Sequence, residues 1–429
     1  MVGTVQGRVT RGTSQTALLA VLGVLYWSAH TMLRPLIGPY VLDDGGTATE
    51  ASLALASFAV LPTLLAIPLG AMTDRWGVRT LLVGGGAVMT LGGGVLFVPA
   101  GLAGVMVSQA LIGVGTLAVW VSLQTVATLS RGEDEPPRVR NARLATFSLF
   151  LAAGQAIGPA LGGLLAEAGG YSLAFGAYTG LSALLILLAL AVRSVPRAAP
   201  AGSGATAGAP GTDPTTRPAL RRAFPDAMAL MRNPTVAVTV VVSFTALVVL
   251  DIRTAYHPLL FSGAGVSTWQ IGVLLSVAAA ASFASRPFFP LAMVHLRPQV
   301  MVGLVLVIST TSVVAVVLFP GDVAMLGVLA VVNGFALGFA QPLTLALMAD
   351  HTPEDQRGLA SGLRSTANRA AQFANPAVFG ASAVVLSLTG SFVLVGGLVL
   401  AVSTVSVVTL VRQDRARSRA PEVERVGAG

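Results

Sequence analysis

Residues 193–234 read RSVPRAAPAGSGATAGAPGTDPTTRPALRRAFPDAMALMRNP, and this stretch divides the chain. Pro, Gly, Ala, Ser and Thr dominate its first part, and six arginines stud it: Arg193, Arg197, Arg217, Arg221, Arg222 and Arg232. A segment so polar and so poor in large apolar side chains buries too little surface to fold alone. Long apolar runs of nearly equal total length flank it. The chain therefore reads as two hydrophobic halves, 1–192 and 235–411, joined by a hydrophilic strap at 193–234 and followed by a basic tail at 412–429.

Composition decides the class. Hydrophobic residues make up 54% of the chain and charged ones only 10%, with a mean hydropathy of +0.79. That is the balance of a polytopic membrane protein, not of a water-soluble globule. With no cysteine, disulfides, thiolate metal sites and cysteine nucleophiles are excluded. The net charge of +8 comes wholly from arginine, because the chain has no lysine. In a membrane protein such an excess reflects topology rather than nucleic-acid binding. No GxxxxGK[ST] loop is present to hold ATP, and four scattered histidines without HExxH offer neither a metal site nor an enzyme centre. No cofactor is expected.

Runs of about 20 apolar residues, the length that crosses a hydrocarbon core of roughly 30 Å, recur twelve times. They fall near 16–40, 50–72, 80–99, 103–130, 142–167 and 171–192, and then near 235–261, 267–292, 298–319, 323–349, 358–387 and 391–411. The expected fold is all-α: twelve transmembrane helices in two pseudo-symmetric six-helix bundles. Arginines occupy alternate connections: Arg8 and Arg11, Arg75 and Arg79, Arg131 to Arg143, the strap, Arg297, Arg357, and the tail from Arg412 to Arg425. The intervening connections DDGGTATE, PAG, AGGY, SGAGVST, PGD and LTG contain none. The positive-inside rule then places both termini in the cytoplasm, with the chain in the inner (plasma) membrane. Its first span reads as uncleaved.

The halves also match locally. YWSAHTMLRPLI sets His30 and Arg34 four apart before Pro35, while VLDIRTAYHPLL sets Arg253 and His257 four apart before Pro258. Likewise GQAIGPALGG meets AQFANPAVFG, with Gln155 opposite Gln372 and Pro159 opposite Pro376. Two related bundles enclosing a path are an architecture for alternating access.

The run GAMTDRWGVRT, Gly70 to Thr80, resembles the short cytoplasmic loop motif of the major facilitator superfamily, with Gly70, Asp74, Arg75, Gly77 and Arg79 in the expected places. Gly70 permits close helix packing, Gly77 a tight reversal, and Asp74 lies near the start of the third helix, where the dipole favours an anion. The resemblance implies a loop that braces one bundle against the other and gates the cycle. In the second half PLAMVHLRPQ has lost the acid and both glycines, so the brace is one-sided. GQAIGPALGG is similar to the superfamily's fifth-helix antiporter motif through Gly154, Gly158, Pro159, Gly162 and Gly163, although Ala145 replaces a further glycine. That likeness implies efflux in exchange for protons. The fourth-helix arginine of the superfamily is missing, and SQALIGVGT has Gln109 in its region.

Ionisable residues at membrane depth cost several kcal/mol unless they face a cavity or a partner. The chain has five such arginines, Arg34, Arg253, Arg286, Arg364 and Arg369, against one deep acid, Asp251. Arg286 and Arg364 are near the helix ends, where they snorkel or brace. Arg34 is placed to bind substrate or to reach the outer surface, and Arg253 to bind substrate or to pair with a neighbour. Guanidinium forks suit carboxylate, phosphate or sulfonate. The expected site is therefore an anionic or amphipathic small-molecule site built on Arg253 and Arg369, with Arg34, His257 and Tyr256 nearby. Asn368, Gln372, Gln155, Gln124 and Tyr26 supply hydrogen bonds, and Trp27 and Trp120 form apolar walls. Asp251 is either a proton carrier or the structural partner of an arginine, and His30 is the second coupling candidate.

These features together predict a monomeric secondary transporter that exports a small organic molecule against protons, with membrane lipid as its surroundings. An organic-anion or phosphate exchanger, an uptake symporter, a lysolipid flippase and a transporter-like sensor are the alternatives.

Overall fold

The computed structural model describes residues 2–98, 101–128, 137–192, 228–352 and 357–419; side chains at 2–16, 66–75, 128, 137–144, 234, 349, 357–359, 361 and 413–419 lie outside that description. Among the described residues the regular structure is helical, with no strand. A bilayer core offers no water to backbone N–H and C=O groups, so each apolar run satisfies them along its own axis.

In chain order the helices are α1 (Val2–Asp43), α2 (Ala48–Trp76), α3 (Val78–Val95), α4 (Gly101–Thr128), α5 (137–168) and α6 (171–190). Then comes α7, in three parts: Pro234–Asp251, a π-helical turn Ile252–Tyr256, and His257–Gly263. Next are α8 (Thr268–Ala284, prolonged by Arg286–Phe288 and Phe289–His295), α9 (Pro298–Ala315, ending in Val316–Leu318) and α10 (Val323–Asp350). Last come α11 (Arg357–Val385) and α12 (Leu388–Arg419).

Helices α5 and α6 are hydrogen-bonded into one run, Pro137–Leu190, but the path breaks at Gly169 (φ −146°, ψ 21°) and Gly170 (φ 73°, ψ 177°). A straight run of that length would extend about 80 Å, far more than one crossing needs. Gly170 takes a positive φ that costs a side-chain-bearing residue strain, and so it reverses the chain. Ten segments are long and apolar enough to cross a membrane by length and composition, and one of them, Ala145–Leu190, holds this break. Adding α11 gives twelve crossings among the described residues. Helix α11 is too polar to qualify by composition, since it carries Arg364, Asn368, Arg369, Gln372 and Asn375. Its apolar side chains Phe373 and Val378 point outward, while Asn375 is buried.

Two helix ends differ from expectation. Helix α1 starts at Val2 rather than near 16, and α12 continues to Arg419 rather than stopping at 411, which shortens the expected tail. Polar helical turns extend past the hydrocarbon, where hydropathy carries no signal. Residues 193–227 of the strap lie outside the described residues. At its end Asn233 caps α7, its side chain accepting from Thr235 N at 3.0 Å, with Pro234 at the first helical position, where the missing N–H is harmless.

Helices α1–α6 pack together, and α7–α12 do likewise. Small residues set the close approaches, as polar and apolar groups alike must pack without a hydrophobic force between helices in lipid. A Cβ on Gly85 of α3 would lie 2.9 Å from Gly115 O of α4, and one on Gly334 of α10 would strike the α8 backbone at Ala278. Tyr178 and Phe175 centre the first bundle, and Tyr256, Phe379 and Phe392 the second. The outer surface is a band of exposed Leu and Val, including Leu64, Leu187 and Val405, each more than three-fifths exposed. Lipid covers such a surface.

Candidate functional site

The bundles meet toward the end of the helices that carries the arginine-free connections. Gly154, Gly158 and Gly162 press α5 against α1: a Cβ at these positions would lie 2.7 Å from Val24 O, 2.6 Å from Ser28 O and 2.6 Å from Met32 Cγ. Gly163, one residue on, turns to the other bundle, where a Cβ would strike Thr268 O and lie 3.2 Å from Gly272 Cα of α8. Gly272 in turn meets Pro159 O. Ala160 N donates to Ser276 Oγ (2.9 Å), and Trp269 N at the start of α8 donates to Glu167 Oε2 (3.1 Å). Elsewhere along the same end Gly38 abuts Leu259, and a Cβ on Gly380 would lie 3.2 Å from Ser52 Cβ. None of these contacts lies in the opposite half of the helices.

Behind this seal sits an ion pair between bundles. Arg34 Nη2 of α1 donates to Asp251 Oδ1 of α7, with the side chains 13% and 7% exposed. The second carboxylate oxygen accepts from Asn375 Nδ2 of α11 at 2.9 Å. The Arg34 guanidinium also lies over the Phe58 ring of α2, 5.1 Å from its centroid. Arg34 does not reach the outer surface, and one nitrogen of its fork is held by Asp251.

Toward the other end, α1 and α4 present an aromatic wall. Tyr26 stacks on Trp120 (centroids 5.9 Å) and on His30 (6.0 Å), Trp27 meets Trp120 edge-on at 5.4 Å, and His30 reaches Phe58 at 5.5 Å. The Tyr26 hydroxyl donates to Thr116 O (3.2 Å), which fixes the ring, whereas Trp27 Nε1 is a buried donor without a partner. Facing it from the second bundle is Arg369 of α11, half-buried and close enough to act electrostatically on Tyr26. Gln372 is half-buried one turn away, and Asn368 Oδ1 accepts from Ser243 Oγ at 2.9 Å. Gln155 is half-buried on α5 and Gln124 exposed on α4.

Three residues expected at the substrate site are enclosed in the second bundle. Arg253 is 6% exposed inside the second bundle, its Nη1 donating to Asn333 Oδ1 of α10 at 3.0 Å, and does not pair with Asp251. His257 is equally enclosed, its Nε2–H donating to Val313 O at 2.9 Å. Tyr256 is fully buried and stacks on Phe379 at 4.0 Å. Residues two apart on a helix face nearly opposite sides, so Asp251 points at α1 and Arg253 into its own bundle; a π-helical turn, Ile252–Tyr256, follows Asp251.

The sequence profile of the Major Facilitator Superfamily matches residues 19–320 and 290–428. The chain belongs to the major facilitator superfamily. No curated protein matches it. Among solved structures it is similar to a variant of the nucleoside transporter NupG, with a TM-score of 0.73, 13% identity, and coverage of 92% of this chain and 99% of that one. It is also similar to a peptide transporter POT in complex with sulfate (TM-score 0.70, 17% identity, 93% and 94% covered). A POT family transporter in complex with 5-aminolevulinic acid is similar too (TM-score 0.71, 12% identity, 92% and 95% covered). At such identities the likeness concerns the fold. Superfamily membership makes the protein a membrane transporter and not an enzyme.

Of the superfamily's loop motif, the side chains of Gly70, Asp74 and Arg75 lie outside the described residues. Gly77 is the reversal between α2 and α3, with φ 82°, and Arg79 is exposed. Because α2 runs to Trp76, Asp74 belongs to its last turn, four residues before α3 begins. Gln109, in the region where the superfamily has its fourth-helix arginine, is 2% exposed with an unpartnered Nε2. Sequence reasoning missed Asn375, Asn333, Phe58 and Thr116. The two asparagines carried a usable signal, since an amide in an apolar helix needs a partner; the ring and the carbonyl carried none.

Proposed function

We propose that this superfamily member is a proton-linked exporter of small organic anions bearing a flat apolar portion. The observation that carries the reading is the buried Arg34–Asp251 pair, which joins the two bundles behind the sealed end. Opening that end requires the pair to separate, and an unpaired buried carboxylate is expensive. A proton on Asp251 removes the charge and so favours the open form. Its release toward the other side restores the pair and the seal. Exchange of that proton for substrate gives antiport, in line with the α5 glycine motif that seals α5 on α8.

The substrate class follows from the two facing walls. The Tyr26, Trp27 and Trp120 rings offer an apolar, polarisable face, and Arg369 a fork for carboxylate or sulfonate. Gln372, Asn368, Gln155 and Gln124 add hydrogen-bonding capacity around them. His30, stacked on Tyr26 and near Arg34, is the second proton-coupling candidate. By the arginine distribution we place the sealed end outside the cell and both termini in the cytoplasm, and we take the chain to act as a monomer in the inner membrane.

The test is a thermal-shift screen of purified protein with aryl carboxylates, aryl sulfonates, lipophilic cations and lysolipids, followed by transport of a hit in proteoliposomes. A ligand that prefers the native state raises its melting temperature. Stabilisation by aryl anions, with uphill transport that needs a pH gradient, is expected. Stabilisation by lipophilic cations alone would overturn the anion reading, and transport indifferent to the gradient would overturn proton linkage.

A further inference from the structure

The side chain of Asn375 is only half used. It lies on α11, 3% exposed, and its Nδ2 donates to Asp251 Oδ2 at 2.9 Å, while its Oδ1 is buried without a hydrogen-bond partner. The other oxygen of the carboxylate, Asp251 Oδ1, is held by Arg34 Nη2 of α1. An ionised carboxylate only accepts, so it can use the N–H end of an amide and not the carbonyl end. A buried carbonyl left idle is costly.

The neutral acid is a better match. A carboxyl group and a primary amide each offer one donor and one acceptor, so a pair that shares an N–H···O bond closes a second bond, O–H···O, when the two planes align. Protonated on Oδ1, Asp251 keeps its bond from Asn375 Nδ2 and donates the new O–H to the idle Asn375 Oδ1. The amide need not turn over.

We propose that Asn375 is the positioning residue of the proton site, its amide matched by a two-point pair to the neutral form of Asp251; this rests on the reading of Asp251 as the proton carrier. One proton from the aqueous phase goes to Asp251 Oδ1, the bond from Arg34 Nη2 breaks, and the bond to Asn375 Oδ1 forms. Arg34 stays charged, over the Phe58 ring. A contact between bundles, α1 to α7, is thereby exchanged for a contact inside the second bundle, α7 to α11, and the sealed end opens without stranding an ionised carboxylate. Among the described residues the titratable neighbours of this acid are Arg34 of α1, His30 one turn before it, and Tyr256 of α7. Helix α2 contributes Phe58 and Ser52 to this region and α11 contributes Asn375, none of which titrates.

The test is infrared difference spectroscopy, acid minus neutral, of purified full-length protein in lipid with its asparagine side-chain carbonyls isotopically labelled. Two features are expected in the unaltered protein. One is a new carboxyl band from protonated Asp251, absent in Asp251→Asn. The other is a labelled amide band displaced to lower frequency, because the idle carbonyl gains a hydrogen bond; it should vanish in Asp251→Asn and in Asn375→Leu, which keeps the size of the side chain. A merely structural asparagine, already donating to the carboxylate, would show no such displacement. An Asp251 band without the amide displacement would overturn the pair and leave Asp251 as the proton carrier. Absence of any carboxyl band that depends on Asp251 would overturn both. Both features are read in the unaltered protein and assigned by Asp251→Asn, so the result does not depend on the leucine variant folding.

Discussion

Arg369 and the Arg34–Asp251 pair divide the chemistry between them at the scale of single residues. Arg369 is half-buried opposite the aromatic wall and forms no salt bridge among the described residues. Arg369→Gln should weaken binding of an aryl carboxylate by about 10- to 100-fold, the loss of one charged hydrogen bond worth ~1.5–3 kcal/mol, as read by titration of purified protein. For the pair, removing one member strands the other. Arg34→Gln should destabilise the sealed form by about 3–5 kcal/mol, while the double variant Arg34→Gln/Asp251→Asn should recover most of it. Melting temperatures of the four proteins check this, and strict additivity would contradict it. These residues were legible in the sequence as charges at membrane depth, but their partners were not. Arg34 and Asp251 are 217 positions apart, and which faces meet depends on the rotational phase of each helix. Arg253, read as a substrate ligand from its spacing, lies two residues from Asp251, which puts it on the opposite side of α7 and inside its own bundle.

Helices carry the gate. The face of α5 that packs on α1 is one residue away from the face that packs on α8, so Gly162 and Gly163 serve different contacts. Gly163→Leu places a side chain against the α8 backbone, where neither neighbour has a movable side chain end. It should force the sealed end apart. The chain lacks cysteine, so spin labels on Asp44→Cys and Thr389→Cys report the separation of the bundles at that end without background. The distance between them should lengthen in Gly163→Leu, and an unchanged distance would show that α5 and α8 are not the seal. Crossing helices were legible from hydropathy because their length is set by the bilayer. Helix α11 was read among the apolar runs although its polar face keeps it from qualifying by composition, and the polar extensions of α1 and α12 were invisible to hydropathy. The motif glycines were legible as a packing device; that the same motif serves both α1 and α8 required coordinates.

At the scale of the whole molecule, the arginine asymmetry is the ground for the proposed orientation in the bilayer. Fusing a fluorescent protein after Gly429 should give fluorescent cells, and an alkaline phosphatase fusion at the same point should be inactive; the reverse pattern would invert the topology and with it the direction of transport. The central claim is that Asp251 holds the two bundles closed through Arg34 until it takes up a proton. The most direct measurement is the distance distribution between labels at 44 and 389 in the otherwise unaltered protein and in Asp251→Asn. Short distances in the former that lengthen as the pH falls, with long distances at every pH in Asp251→Asn, are predicted. Superimposable distributions in the two proteins would contradict the claim and reduce the ion pair to a structural contact.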